Sequence, residues 1–141
     1  MKKIEFENIT KNGLIIAIDF DGTIVEHRYP KIGKPKPFAF QTLKALQEKG
    51  HSLILWTHRS GDKLKEAISF CKANGIEFYA ANMNYPEEKW DENSSRKVLA
   101  DIYIDDRNLG GLPSWGEIFN IICPENNSML KIARKKSWWK S

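Results

Sequence analysis

The chain has 141 residues, 41% of them hydrophobic, and its 22 Lys and Arg outnumber 18 Asp and Glu for a net charge of +4. This composition suits one soluble domain and argues against collagen, disorder or a membrane span, because no apolar run is long enough to cross a bilayer. The first residues lack a signal-peptide pattern, so we expect a cytoplasmic protein. Cys71 and Cys123 form no CxxC pair, and we expect two free thiols.

The first part of the chain predicts a strand, a helix and a second strand. Leu14–Ile18 is an unbroken apolar run with β-branched residues, which is typical of a strand buried on both faces. A helix is expected from about Pro37, which suits a first helical turn, to about Lys49. Leu53–Trp56 repeats the pattern of a buried strand.

The rest of the chain continues this alternation. Apolar residues recur at helical spacing from Leu64 to Cys71, and Gly75 is a suitable stop for that second helix. Short apolar runs predict three further strands, at Ile76–Tyr79, Ile102–Ile104 and Ile118–Ile122.

This order of elements indicates a single α/β domain. We expect a three-layer, Rossmann-like parallel sheet with helices on both faces, a core at about 14–122 and a basic tail at about 124–141. Ligands of such sheets bind beyond the carboxyl ends of the strands, which is where a site should lie.

Polar clusters follow three of the predicted strands directly. They are Asp19-Phe20-Asp21-Gly22-Thr23 after the first strand, Thr57-His58-Arg59 after the second and Asp105-Asp106-Arg107 after the fourth. Because the strands are parallel, all three clusters should meet at one edge of the sheet.

The carboxylates in these clusters suit phosphoryl chemistry with a magnesium ion. Asp19 and Asp21 are two residues apart, so in an extended turn both can face a phosphate, one to attack and one to exchange protons. Asp105 and Asp106 would add hard oxygen ligands, which Mg²⁺ prefers and without which the acidic cluster would repel itself. We therefore expect magnesium bound by Asp19, Asp21, Asp105 and Asp106.

Other residues near the strand ends would hold the phosphate. The Thr57 hydroxyl is expected to donate to a phosphoryl oxygen, and Lys97 to steady the negative charge during transfer. Thr23, His58 and Arg59 are expected to contact the substrate.

Ile18-Asp19-Phe20-Asp21-Gly22-Thr23 resembles the first motif of the haloacid dehalogenase superfamily of phosphohydrolases. Thr57 is similar to its second motif, Lys97 to its third, and Asp105-Asp106 to the acidic pair of its fourth. The resemblance spans roughly residues 14 to 122. It implies a phosphoaspartyl intermediate on Asp19.

The resemblance also implies the roles of the other carboxylates. Asp21 would serve as general acid and then as general base. Magnesium would be bound by Asp19, by the backbone carbonyl of Asp21 and by one of Asp105 and Asp106, of which Asp106 is the favoured direct ligand.

The lysine of the third motif has two candidates. Lys97 lies eight residues before Asp105, which is close for this motif, and Lys89 is the alternative. Lys97 is favoured because the segment from Lys97 to Arg107 resembles the corresponding part of the 5'(3')-deoxyribonucleotidases.

Neither gap between the motifs has room for a cap domain, so loops should shape the entrance. Residues 24–36 and 80–95 carry the candidate substrate contacts: His27, Arg28, Tyr29, Lys31, Asn82, Asn84, Tyr85 and Trp90.

The expected substrate is a phosphorylated small molecule, a nucleotide before a sugar phosphate. A polynucleotide end is an alternative, to which the basic, Trp-containing tail would contribute, and a non-catalytic phosphate- or partner-binding protein is another. No membrane partner is expected, and a second subunit serving as a lid stays open.

Overall fold

A computed structural model describes residues 13–124, which form a four-stranded parallel sheet. In chain order the strands are β1 (Ile15–Ile18), β2 (Ser52–Leu55), β3 (Ala80–Ala81) and β4 (Ile102–Ile104), and they lie side by side as β3-β2-β1-β4. The central strand β1 therefore pairs with β2 on one side and with β4 on the other. The predicted parallel α/β architecture is confirmed.

Three helices belong to this region: α1 (Ala39–Glu48), α2 (Gly61–Ala73) and α3 (Trp115–Ile122). All three contribute to one apolar core, which they share with alternate residues of the sheet. Its buried members from the strands and helices are Ile16, Ile18, Leu53, Leu55, Ile104, Ala39, Leu43, Leu46, Ala67, Cys71, Trp115 and Ile118. Because strand side chains alternate in direction, these helices cover a single face of the sheet.

The opposite face of the sheet has a smaller apolar cluster. Ala17, Ile54, Ala80 and Val98 are its buried residues, and Tyr103 packs against them. Residues 82–100 supply part of this cluster and contain no helix. The expected helical layer on this face is therefore not found within residues 13–124. The strands β1, β2 and β3 follow one another across the sheet in chain order. Because both of their connections are right-handed crossovers that run in the same direction, α1 and α2 lie on the same face of the sheet.

Two predicted strands differ from the structure. Ile76–Tyr79 precedes the third strand rather than forming it, because the Ile76 N–H still donates to Cys71 O at the end of α2. The predicted fifth strand, Ile118–Ile122, is the body of α3. Ser114 caps this helix by accepting from the Glu117 N–H at 3.2 Å, which favours a helix start over a strand.

None of the three helices within residues 13–124 is both long enough and apolar enough to cross a membrane. Cys71 and Cys123 are free thiols, as predicted. Burial in the core raises the pKa of the Cys71 thiol to about 12, so it is unreactive. The predicted basic tail lies almost wholly outside the described residues.

Candidate active site

Three carboxylates lie together at the carboxyl end of the sheet. Asp19 follows β1, and Asp105 and Asp106 follow the adjacent strand β4. The Asp19 N–H donates to Ile104 O at 3.0 Å, which extends the pairing of the two strands up to the site. One oxygen from each of the three carboxylates lies within 4.8 Å of the others. We call Asp19, Asp105 and Asp106 the carboxylate trio.

The hydroxyl of Thr23 ties two members of the trio together. Its Oγ1 lies 3.1 Å from Asp19 Oδ2 and 3.2 Å from Asp106 Oδ1, and it accepts the Asp106 N–H at 3.0 Å. Thr23 is completely buried, and its own carbonyl accepts the indole N–H of Trp115 at 3.0 Å. Thr23 was expected to contact substrate. In the structure it instead sets the positions of the two carboxylates.

The turn between Asp21 and Thr23 requires glycine. Gly22 has a φ of +82°, and a Cβ at this position would lie 2.4 Å from Asp106 Oδ2. A side chain here would therefore be strained and would also push a member of the trio out of place.

The trio concentrates negative charge at one place. Within residues 13–124, no lysine or arginine forms an ion pair with any of its three members. Burial, and then the charge of Asp105, raise the pKa of Asp19 from 3.8 to about 7. Burial acts to raise the pKa of Asp106 as well, but hydrogen bonds with Asp19, Thr23 and Asp105 outweigh it, and the pKa of Asp106 is lowered. Of these two carboxylates, Asp19 therefore holds a proton more readily than Asp106.

Asp21 lies beside the trio but is held by a different partner. Arg59 Nε donates to Asp21 Oδ2 at 2.7 Å, and Arg59 Nη2 donates to Asp21 Oδ1 at 2.8 Å. The Asp21 side chain is 13% exposed and that of Arg59 is 0% exposed. Arg59 was expected to contact substrate, but the structure buries it, so its guanidinium is not presented to a ligand.

The loop after β2 carries Thr57 and is pinned by Asn82. The Thr57 N–H donates to Asn82 Oδ1 at 2.8 Å, and Asn82 Nδ2 donates to Arg59 O at 3.1 Å. Thr57 Oγ1 accepts the Arg59 N–H at 3.1 Å, an arrangement that leaves the hydroxyl hydrogen to be donated elsewhere. His58 is exposed at the same end of the sheet.

Within residues 13–124, the structure brings neither predicted lysine to the trio. The Lys97 ammonium lies 4.8 Å from the ring centre of Tyr103, on the sheet face that the helices leave uncovered. Lys89 is exposed on the loop that covers that face. Neither predicted lysine makes a hydrogen bond or an ion pair with the trio among the described residues, so the third motif is not assembled in this arrangement.

Two of the loop amides expected to read a substrate have internal roles instead. Asn82 pins the loop after β2, and it does so from a left-handed backbone conformation with a φ of +54°. Asn84 bonds to Glu88 through its side chain and backbone, and its Oδ1 accepts the Leu99 N–H at 2.7 Å.

The donor set of the trio fits a magnesium ion. Mg²⁺ prefers hard oxygen ligands, and the trio offers three carboxylates whose oxygens lie within 4.8 Å of one another. Burial and the charge of Asp105 raise the pKa of Asp19, so a negative charge on this carboxylate is disfavoured at its site. Asp19, Asp105 and Asp106 are thus the residues that could hold the metal.

Comparison with known proteins gives a close structural relative. The chain is 56% identical to a conserved protein from Bacteroides thetaiotaomicron whose structure has been solved, with a TM-score of 0.76. The match covers 86% of this chain and 98% of that one. No protein-family model matches the chain, and neither does any curated protein. The fold and the strand-end site define a Rossmann-like α/β protein. The chain belongs to the same family as the Bacteroides thetaiotaomicron protein.

Proposed function

We propose that this protein is a magnesium-dependent phosphatase of the haloacid dehalogenase superfamily, with Asp19 as its nucleophile. The observation that carries the proposal is the carboxylate trio, whose oxygens lie within 4.8 Å of one another at the ends of β1 and β4. Carboxylates this close repel one another and destabilise the fold unless a bound cation offsets the repulsion. Its place at the carboxyl end of a parallel sheet is where enzymes of this architecture bind substrates.

The trio would hold the metal. The metal would supply positive charge, which would attract the phosphate and offset the repulsion between the phosphate and the Asp19 carboxylate. An Asp19 oxygen attacks phosphorus, the ester P–O bond breaks and an acyl phosphate forms. The leaving oxygen takes a proton from Asp21. A water then attacks the same phosphorus and passes its proton to Asp21, which regenerates the Asp19 carboxylate and releases inorganic phosphate.

Two further side chains support this scheme. The Thr57 hydroxyl has a hydrogen to donate to a phosphoryl oxygen, because its own contact with the Arg59 N–H uses it as an acceptor. The bonds from Arg59 to Asp21 use one lone pair on each carboxylate oxygen, and each oxygen retains another that can take a proton.

The substrate class is a phosphorylated small molecule, with a nucleotide as the first candidate. Three aromatic rings are about half exposed on the two loops expected to shape the entrance: Tyr29, Tyr85 and Trp90. Exposed rings suit the stacking of a planar base. A sugar phosphate is the second candidate, and a phosphorylated oligonucleotide the third.

The test is phosphate release from nucleotides, sugar phosphates and end-phosphorylated oligonucleotides, with and without magnesium. Asp19→Asn should abolish release while keeping the fold, because it removes the nucleophile at constant volume. Glu92→Gln is the matched control, since it removes one exposed negative charge away from the site. Release that requires both magnesium and Asp19 would support the proposal. Full activity of Asp19→Asn would refute the proposal. If the wild type released phosphate from none of these compounds, a non-catalytic phosphate-binding role would be favoured.

A further inference from the structure

Arg59 is a charged residue whose side chain is wholly buried, and every one of its N–H groups has an acceptor. Its guanidinium has five donors. Two of them bond to the Asp21 carboxylate at 2.7 and 2.8 Å. The others bond to the backbone oxygens of Lys31 at 3.1 Å, Lys63 at 3.4 Å and Pro30 at 3.5 Å. The burial of this charge is tolerable because each donor is satisfied.

The acceptors of Arg59 come from three separate parts of the chain. Asp21 belongs to the turn after β1, Lys63 to the first turn of α2, and Pro30 and Lys31 to the loop formed by residues 26–34. The base of this 26–34 loop is closed by the Glu26 N–H, which donates to Lys34 O at 2.8 Å. The tip of the loop is tied to the domain by the hydrogen bonds of Arg59 and by Ile32, which packs against the apolar core.

Aromatic rings enclose the same guanidinium. The central carbon of Arg59 lies 5.1 Å from the ring centre of Phe20 and 5.1 Å from that of Tyr29. Phe20 is completely buried, whereas Tyr29 is 53% exposed on the 26–34 loop. A movement of this loop would therefore remove a ring and two carbonyl oxygens from Arg59 at once.

From these contacts we propose that Arg59 is a positioning residue that couples the orientation of the Asp21 carboxylate to the seating of the 26–34 loop. The inference deepens the proposed phosphatase function, on which its catalytic part rests. Asp21 must present an oxygen to the leaving group, and a bidentate pair fixes the plane of the carboxylate where a single bond would let it rotate. Lysine cannot replace this arrangement, because its ammonium has three donors on one atom and no planar fork.

The first test compares two phosphate esters with different leaving groups. p-Nitrophenyl phosphate has a good leaving group and needs little help from an acid, whereas an alkyl phosphate needs Asp21 to protonate the departing oxygen. Arg59→Lys should lower kcat for the alkyl ester at least about tenfold more than kcat for the nitrophenyl ester. Asp21→Asn should show the same selectivity. A double variant that combines Arg59→Lys with Asp21→Asn should be about as active as Asp21→Asn alone, since the two residues act as a unit.

Two controls separate positioning from general damage. Lys72→Arg exchanges the same two basic residues in the reverse direction at an exposed ion pair with Glu77, and it should leave both rates unchanged. The magnesium-induced rise in Tm should be retained in Arg59→Lys, because Arg59 does not contact the carboxylate trio. Equal losses on both esters would overturn the positioning role, as would a double variant that loses the product of the two single effects.

The second test measures the coupling without any catalysis. Amide hydrogen exchange in the 26–34 loop should become about fivefold faster or more in Arg59→Lys and also in Asp21→Asn, because hydrogen bonds through Arg59 join the Asp21 carboxylate to the loop tip. This readout is decisive even if the wild-type protein hydrolyses no ester, an outcome that would remove the phosphatase proposal alone. If Arg59→Lys fails to fold, Asp21→Asn still decides the matter. Unchanged exchange in Asp21→Asn would overturn the coupling.

Discussion

Replacement of Asp19 by asparagine removes one of three negative charges whose oxygens lie within 4.8 Å of one another. At an effective dielectric constant of about 20, two unit charges at this separation repel by about 3 kcal/mol. The change keeps the volume of the side chain and an oxygen that can accept from Thr23, whose Oγ1 lies 3.1 Å from Asp19 Oδ2. Asp19→Asn should therefore stabilise the metal-free protein.

The size of this gain follows from the pKa of Asp19. A rise from 3.8 to about 7 corresponds to about 4 kcal/mol in the difference between the two protonation states. Because Asp19 is partly exposed to water, we halve this figure and expect about 2 kcal/mol at about pH 8. For a chain of this length that is a rise in Tm of about 6 °C.

The pH dependence of the gain is the sharper part of the prediction. Between about pH 4 and 7 folded Asp19 keeps a proton that the unfolded chain has released, so the stability of the wild type falls as pH rises through this window. Asp19→Asn cannot lose a proton there. The difference between the two proteins should be largest above pH 7 and should shrink steadily toward about pH 5.

The assay is urea unfolding in the presence of a chelator at several pH values from about 5 to 8. Asp106, whose pKa is lowered, stays ionised throughout this range. Glu92→Gln is the control for the loss of one charge, and its difference from the wild type should not follow the pH dependence of Asp19→Asn. A destabilised Asp19→Asn, or a gain that is the same at both ends of the range, would refute the reasoning.

Three further predictions concern the same site. The affinity for Mg²⁺, measured by titration calorimetry, should weaken about tenfold from about pH 8 to 6 because a proton competes for Asp19, and a constant affinity would exclude Asp19 as a ligand. Gly22→Ala should cost about 2 kcal/mol or more in urea unfolding, because its Cβ would lie 2.4 Å from Asp106 Oδ2. Gly75→Ala, with a φ of +87° and open space around its Cβ, should cost only about 1 kcal/mol; equal costs would mean that Asp106 simply moves away. Thr23→Val should destabilise the protein by about 1–3 kcal/mol and lower the affinity for Mg²⁺, since it leaves the Asp106 N–H without its acceptor, whereas Thr23→Ser should be close to the wild type in both measurements.

Several features of the fold were predictable from local patterns. The strands β1 and β4 are short unbroken apolar runs, and β2 is one after its first residue; such runs are typical of strands buried on both faces. The helices α1 and α2 carry apolar residues at helical spacing and are followed by Gly50 and Gly75. The start of α3 also has a local signal, because Ser114 and Glu117 are spaced as a capping box, and the strand prediction at Ile118–Ile122 took no account of it.

The site likewise contains residues whose roles could be predicted from the sequence and residues whose roles could not. The residues of the trio were identifiable because each follows a buried strand, and parallel strands end at one edge. The roles of Thr23 and Arg59 were not identifiable, since both were read as residues that face a ligand. Their burial depends on which segments of chain fold over them. Arg59 is covered by the 26–34 loop and by the first turn of α2, and no spacing in the sequence encodes that contact.

The sequence by itself determined the parallel α/β sheet and the carboxylates at the strand ends, because both follow from hydrophobic period and from the order of elements. Only the tertiary structure decided that Arg59 holds Asp21 and that Lys97 lies over Tyr103 rather than beside the trio. These contacts join residues that are remote along the chain or lie on irregular segments. Their geometry depends on how whole loops pack, and a long charged side chain can turn inward or outward with the same sequence around it.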